Sequence, residues 1–333
     1  MKSVTMEDVA RAAGVSRALV SLAYRNAPGV NAKTRERIFQ AGRDLNYQPN
    51  RIAASLASKS QNSIGVFLSD LHNDLFADIF DGLREGFGES AKQLILAIGS
   101  IDGQRDTAAL DTLVQSRVDL VVAAGLLLPD AALSGYAAVT PMVSTARIAP
   151  GTDNVYANNL TGAALATNHL IELGHRRIAF LANPQSDGYR ERGTGYRTAM
   201  QTSGLEPWII ASSYARTQAA VDIGEALRSS QRPTAVFAHN DQSALGVLDA
   251  AAHYGIHVPS QLSVVGYDNS SSSLVPGMAL STVDIHAREL GLRSAQAALA
   301  RLEDPSAPLQ SISIEPSLLV RGTSARSEDA RNT

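Results

Sequence analysis

VTMEDVARAAGVSRALVSLAYRN, residues 4–26, decides how the chain begins. Thr5 followed three residues later by Asp8 is a variant capping box that starts a helix, and Gly14 ends it. Val9, Ala10 and Ala13 supply that helix with an apolar stripe. After the turn at Gly14 and Val15, Ser16 caps a second helix running to about Arg25, with Leu19, Val20 and Ala23 inward. NAKTRERIFQAGRDLNYQPNRIAASLASK, residues 31–59, then carries a third helix from Ala32 to about Leu45, with Ile38, Ala41, Gly42 and Leu45 inward. Two helices joined across a glycine turn and braced by a third make the helix-turn-helix pattern.

Pro49 stops this head, and Asn50 restarts the chain as the cap of a short segment, RIAASLASK. Isolated helices become stable in water only at ~12–15 residues, so this segment folds when something docks on it. The polar run SKSQNS, 58–63, is a linker. From Ser63 onward the texture changes. Strand-like runs recur at 64–69, 94–98, 120–124 and 142–145, and a second series follows at 177–182, 234–239 and 262–267. Amphipathic stretches lie between them, at Phe76–Lys92, Gln104–Gln115, Leu160–Leu173 and Gln242–Tyr254. Alternating strand and helix predicts parallel sheets covered on both faces, and the length favours two α/β lobes with a ligand cleft between them.

Composition narrows the function. The chain has 333 residues, 44% hydrophobic and 18% charged, enough for a sizeable core. No run approaches the ~18 apolar residues of a membrane span, and no apolar signal core follows MKSVTMEDVARAAG. Cys is absent, which excludes disulfides, cysteine-ligated zinc and thiol catalysis. The expected location is the cytoplasm. The net charge of −3 hides an asymmetry: residues 1–60 carry +6 and the remainder −9. A basic head on an acidic body predicts that only the head meets a polyanion. The sequence has no G-x-S-x-G elbow, P-loop or complete G-x-G-x-x-G, and its seven histidines show no metal-binding spacing. No catalytic residue, metal site or cofactor is therefore expected. The competing reading is an α/β enzyme acting on a sugar-like substrate.

The two stretches quoted above, with NSIGVFLSDLHNDLFADI (62–79), HLIELGHRRIAFLA (169–182), HNDQSALGVLDAAAHYGIHVPSQLSVVGYD (239–268), LSTVDIHARELG (280–291) and LLVRG (318–322), resemble the LacI-type family of bacterial transcription regulators. The likeness runs in order along nearly the whole chain. It implies a helix-turn-helix DNA-binding domain at 1–48, a hinge helix and linker at 49–62, and a two-lobed core at 63–323. That core would be periplasmic-binding-protein-like, dimeric and effector-binding, with a disordered tail at 324–333. The implied function is a repressor, a homodimer on a pseudo-palindromic operator in double-stranded DNA, switched by a small carbohydrate-like effector.

Carried over residue by residue, the recognition helix presents Arg17, Ala18, Ser21 and Leu22. Arg17 suits a guanine edge, and Ser16 and Ser21, with Thr5, suit the DNA backbone. The family usually has Thr where Leu19 stands and very often Arg where Leu22 stands; a leucine at 22 can touch a thymine methyl instead. In the hinge, Asn50 and Ala53 accompany Leu56, which falls where the family wedges a leucine pair into the minor groove. The resemblance places Arg192, Asn240 and Asp268 at the effector, where an arginine, an amide and a carboxylate suit a polyhydroxyl ligand. Asp70, Phe76 and Tyr214 are further effector candidates. Asn240 also reads as the cap of the helix behind it, and His175 as a helix C-terminal cap.

Overall fold

The computed structural model describes residues 4–25, 27–47, 63–90, 93–184, 188–275 and 278–327. The chain separates into two compact units, 1–61 and 62–333. The first holds α1 (Met6–Ala13), α2 (Arg17–Tyr24) and α3 (Ala32–Asp44). Each helix starts where a side chain can take its free N–H groups. Thr5 and Asp8 form a reciprocal capping box, Ser16 Oγ accepts from Leu19 N, and Asn31 Oδ1 accepts from Thr34 N. Gly14, at φ 61°, ends α1. Val9, Ala10, Ala13, Val20, Ala23, Ile38 and Ala41 form the core of this unit, and Tyr24 meets Phe39 and Tyr47 edge-on beside it.

The second unit contains two six-stranded sheets. Its first part runs β1 (Ser63–Leu68), α4 (Asp74–Phe87), β2 (Gln93–Ile98), α5 (Asp106–Gln115), β3 (Leu120–Ala124), α6 (Asp130–Val139), β4 (Met142–Thr145) and β5 (Asp153–Ala157). The chain then enters the second lobe with α7 (Asn159–Glu172), β6 (Ile178–Ala182), α8 (Tyr189–Thr202) and β7 (Trp208–Ala211). That lobe continues through α9 (Arg216–Arg228), β8 (Ala235–Ala238), α10 (Asp241–His253), β9 (Ser263–Asp268), the hairpin β10 (Leu274–Val275) and β11 (Met278–Ala279), and β12 (Ser281–Asp284). It returns to the first lobe for α11 (Ala287–Glu303) and β13 (Ser311–Ile314), and ends in the second with β14 (Ser317–Leu319).

The first sheet is wholly parallel, in the order β13-β5-β4-β3-β1-β2. The second runs β14-β12-β9-β8-β6-β7, with only β14 antiparallel. The chain thus crosses between the lobes three times, near 158, 285 and 315. Five strands beyond those expected complete the sheets: β5, β7, β12, β13 and β14. They are three to five residues long, and polar residues interrupt most of them, so pairing partners and not apolar runs define them. Helix α4 begins at Asp74, capped by Asn73, and stops at Phe87, short of the expected Lys92, because Gly88 turns there at φ 48°.

The expectation of a disordered tail from 324 fails for its first residues. Ala325 N donates to Ser263 Oγ, Ser327 N donates to Leu173 O, and the His175 ring lies 3.0 Å from Thr234 Oγ1, Ser263 Oγ and Ala325 O. His175 therefore caps α7 through its backbone N–H to Leu170 O, while its buried ring anchors the segment that follows β14. Among the described residues no helix is long and apolar enough to cross a membrane.

Helices α4 and α11 touch backbone to backbone. A β-carbon on Gly291 would collide with Ile79 O and stand 2.8 Å from Leu83 N, and one on Gly82 would strike Arg288 O. Gly291→Ala gains about 1 kcal/mol of helix propensity. Main-chain atoms cannot step aside as a flexible side chain would, so overpacking of about 1–3 kcal/mol outweighs that gain. Urea unfolding should find the variant less stable than the wild type; equal midpoints would show that the two helices slide apart without cost.

Candidate functional site

In the first unit, the outward side of α2 carries exposed Arg17 and Ala18 and half-buried Ser21 and Leu22. Val20 and Ala23 are buried and Leu19 is half-buried, so the helix face divides as expected. Arg17 makes no hydrogen bond or ion pair among the described residues, which leaves all its N–H groups to an external acceptor. Ser16 Oγ spends a lone pair on the cap and keeps its proton. Thr5 is different. Its Oγ1 donates to Asp8 Oδ2 at 2.7 Å, so that proton is committed within the cap. Asn50, Ala53 and Leu56 lie outside the described residues.

In the second unit, four of the six expected effector residues meet at the carboxyl ends of β8 and β9 and the start of α8. Arg192, on the first turn of α8, is buried. Its Nε donates to Asn159 Oδ1 at 2.8 Å, its Nη1 donates to His239 O at 2.6 Å, and its guanidinium lies 3.8 Å above the Tyr267 ring. Nη2 stands 3.9 Å from Asp268 Oδ1, too far for a hydrogen bond. Asn240 caps α10 by accepting from Ser243 N, while its buried Nδ2 has no hydrogen-bond partner among the described residues. Asp268 Oδ1 is likewise buried and has no hydrogen bond among the described residues, on a backbone held at φ 108°. Such a conformation costs a non-glycine residue of order 1–3 kcal/mol. Tyr214 joins the group through the His239 ring, which it meets edge-on at 5.5 Å.

Burial governs the electrostatics here. Desolvation pushes the Asp268 carboxyl well above the usual carboxylate range, and the Arg192 charge only partly opposes it. Asp241, next to Asn240, is pushed up to about 6 by the same cause, despite hydrogen bonds from Thr282 Oγ1 and from Ser270 N and Oγ. His239 is held well below its ordinary value by burial and then by Arg192. A donor, an acceptor and a guanidinium edge, all shielded from bulk water and incompletely paired, can hold a hydroxyl-bearing molecule.

Asp70 and Phe76 stand at the carboxyl end of β1, on the other sheet. Asp70 Oδ1 accepts from His72 N in a tight turn. Phe76 is buried in the core, with its ring packed over Gly125 and Ser69. Sequence reasoning missed Asn159, His239 and Asp241. Asn158 caps α7 and reaches Glu315, whereas the neighbouring Asn159 touches Arg192 and Tyr267.

Comparison with known proteins bears on both units. Residues 5–50 match the description "Bacterial regulatory proteins, lacI family", and residues 167–324 match "Periplasmic binding protein-like domain". The HTH-type transcriptional repressor PurR of Proteus mirabilis is 31% identical over 326 residues, covering 95% of this chain and 96% of that protein. The lac repressor dimer bound to operator and the anti-inducer ONPF is similar with a TM-score of 0.84 at 29% identity, over 97% of this chain and 100% of that one. The transcriptional regulator CelR in complex with cellobiose gives a TM-score of 0.71 at 26% identity, over 96% and 99% of the two chains.

The raised carboxyl of Asp241 has a consequence for stability. Its value is about 6 in the folded chain against an ordinary 3.8, so between these the folded state holds the extra proton. The penalty for burying it is fully present above pH 6 and fades as pH falls toward 4. Asp241→Asn removes the titration. On going from pH 7 to pH 5, wild type should gain roughly 1 kcal/mol on the variant in paired chemical denaturations. A constant difference between the two would show that Asp241 ionises normally.

Proposed function

The chain belongs to the lacI family of bacterial regulatory proteins, and on that premise we propose that a polyhydroxylated effector seated at Arg192, Asn240 and Asp268 sets its hold on an operator. The chain is a ligand-responsive, DNA-binding repressor. It acts as a homodimer in the cytoplasm and binds its effector without chemistry. The observation that carries the site is the 3.9 Å gap between Arg192 Nη2 and Asp268 Oδ1. A hydroxyl oxygen about 2.8 Å from each accepts from the guanidinium and hydrogen-bonds the Asp268 carboxyl, and so bridges the two. The unpartnered Asn240 Nδ2 then takes an adjacent hydroxyl as acceptor. Asp70 and Phe76 reach the same ligand from the first lobe, and Tyr214 offers an aromatic face to a sugar ring.

The coupling runs through the three crossovers. A ligand held by both lobes fixes their relative angle, and in a dimer that angle sets the spacing of the two heads. Two recognition helices on a twofold axis require half-sites about one helical turn apart. Arg17, Ala18 and Leu22 face the bases, with Ser16 and Ser21 at the phosphates. The lac repressor dimer similar to this chain is itself bound to operator, and the CelR complex holds cellobiose, a sugar.

The test is operator binding by wild type, Arg192→Ala and Arg17→Ala across titrations of D-ribose, D-glucose, D-galactose and cellobiose. Wild type should respond to at least one sugar. Arg192→Ala should need one to two powers of ten more of it, since a lost hydrogen bond to a charged group costs about 1.5–3 kcal/mol, with ligand-free operator affinity unchanged. Arg17→Ala should keep the sugar response and relax base preference at one position per half-site by about 1–3 kcal/mol. An Arg192 variant that responds like wild type would remove the effector from this cluster.

A further inference from the structure

His239 reads in sequence as one of seven scattered histidines, yet it is fully buried, with Arg192 and Tyr214 against its ring. Its Nε2 lies 3.3 Å from Arg192 Nη1, and Tyr214 closes on it edge-first at 5.5 Å and 82°. Phe180 lies behind it at 6.5 Å. We propose that His239 is a positioning residue for effector binding, whose neutral imidazole accepts from Arg192 and so aims Nη2 at the space before Asp268. The proposal rests on the effector occupying the Arg192, Asn240 and Asp268 cluster.

The chemistry fixes the proton. A guanidinium only donates, so the Nη1 to Nε2 contact requires a lone pair on Nε2 and places the imidazole proton on Nδ1. A doubly protonated ring would set two cations 3.3 Å apart out of reach of water, and burial together with Arg192 holds His239 neutral. The same Nη1 also donates to the backbone carbonyl of His239 at 2.6 Å. Any residue at 239 supplies that carbonyl. Only a side chain with an acceptor at this reach takes the second Nη1 proton and stops the guanidinium from turning. Mere core filling would favour an apolar ring, as in the neighbouring stack of Phe180 on Phe237 at 4.8 Å. A polar ring with no exposed surface is costly there unless its acceptor is used.

Two measurements on the full-length protein test this. Nitrogen NMR of 15N-histidine-labelled protein should find His239 at pH 7 with an unprotonated Nε2, and Arg192→Ala should release that tautomer preference. Calorimetric titration with whichever of D-ribose, D-glucose, D-galactose or cellobiose acts on wild type then compares three variants. Gln places its acceptor near Nε2, Asn only near Nδ1, and Ala supplies none. His239→Ala and His239→Asn should bind the sugar about tenfold more weakly and His239→Gln within about twofold of wild type, with operator affinity in the absence of sugar equal in all. A proton on Nε2 at pH 7, an Ala variant as tight as wild type, or a Gln variant as weak as Ala would overturn the proposal. If Arg192→Ala itself leaves the sugar response intact, the effector site falls first, and the tautomer measurement still judges the His239 to Arg192 contact.

Discussion

A guanidinium out of water has to be met on every side, and Arg192 organises the second lobe around that need. Burying a cation costs several kcal/mol unless its donors are used. Helix α7 supplies Asn159 Oδ1, β8 supplies the carbonyl and ring of His239, and β9 supplies the face of Tyr267. Three elements are thereby held to one side chain of α8. Asp268 faces it, with Oδ1 3.9 Å from Nη2, too far for a hydrogen bond. The strained backbone at Asp268 and the unpartnered Asn240 Nδ2 belong to the same unfinished network. Side chains already held in place with polar atoms to spare are suited to binding, because a ligand adds bonds without ordering new side chains.

The basic head follows another logic. Its helices are short, so capping side chains and one small apolar cluster define them. Positive charge is kept at the periphery, where Arg17 has no hydrogen bond or ion pair among the described residues. The two units differ in dielectric environment: the first carries exposed positive charge, the second buried and partly paired polar groups.

What the sequence disclosed follows the range of the interactions. Thr5 with Asp8, Ser16 with Leu19 and Asn240 with Ser243 are contacts across three residues, and all were legible. The long apolar strands β1, β3, β6 and β9 were legible too, because burial on both faces leaves a continuous hydrophobic run. β12 and β13 were not, since STVD and SISI alternate or carry charge and become strands only through partners far along the chain. Arg192, Asn240 and Asp268, expected together from motifs, lie close together in the fold, and Asp70 and Phe76 stand on the opposite sheet. His239 and Asn159 were missed because their roles exist only once α7, α8 and β8 converge.

The triple crossing between lobes shapes how the chain can be made. β13 completes the edge of the first sheet by pairing Ser311 with Asn154, and α11 covers that sheet only after all of the second lobe except its edge strand β14 has been synthesised. The first lobe therefore waits on the ribosome with an open β5 edge and a bare face on α4, where Gly82 and Gly291 will later meet. Contacts of such sequence separation slow folding and leave apolar surface exposed meanwhile. Neither lobe can be inherited or recombined as an independent cassette, because each is cut from non-contiguous sequence. The helical head, complete in its first few dozen residues, can be exchanged as a block.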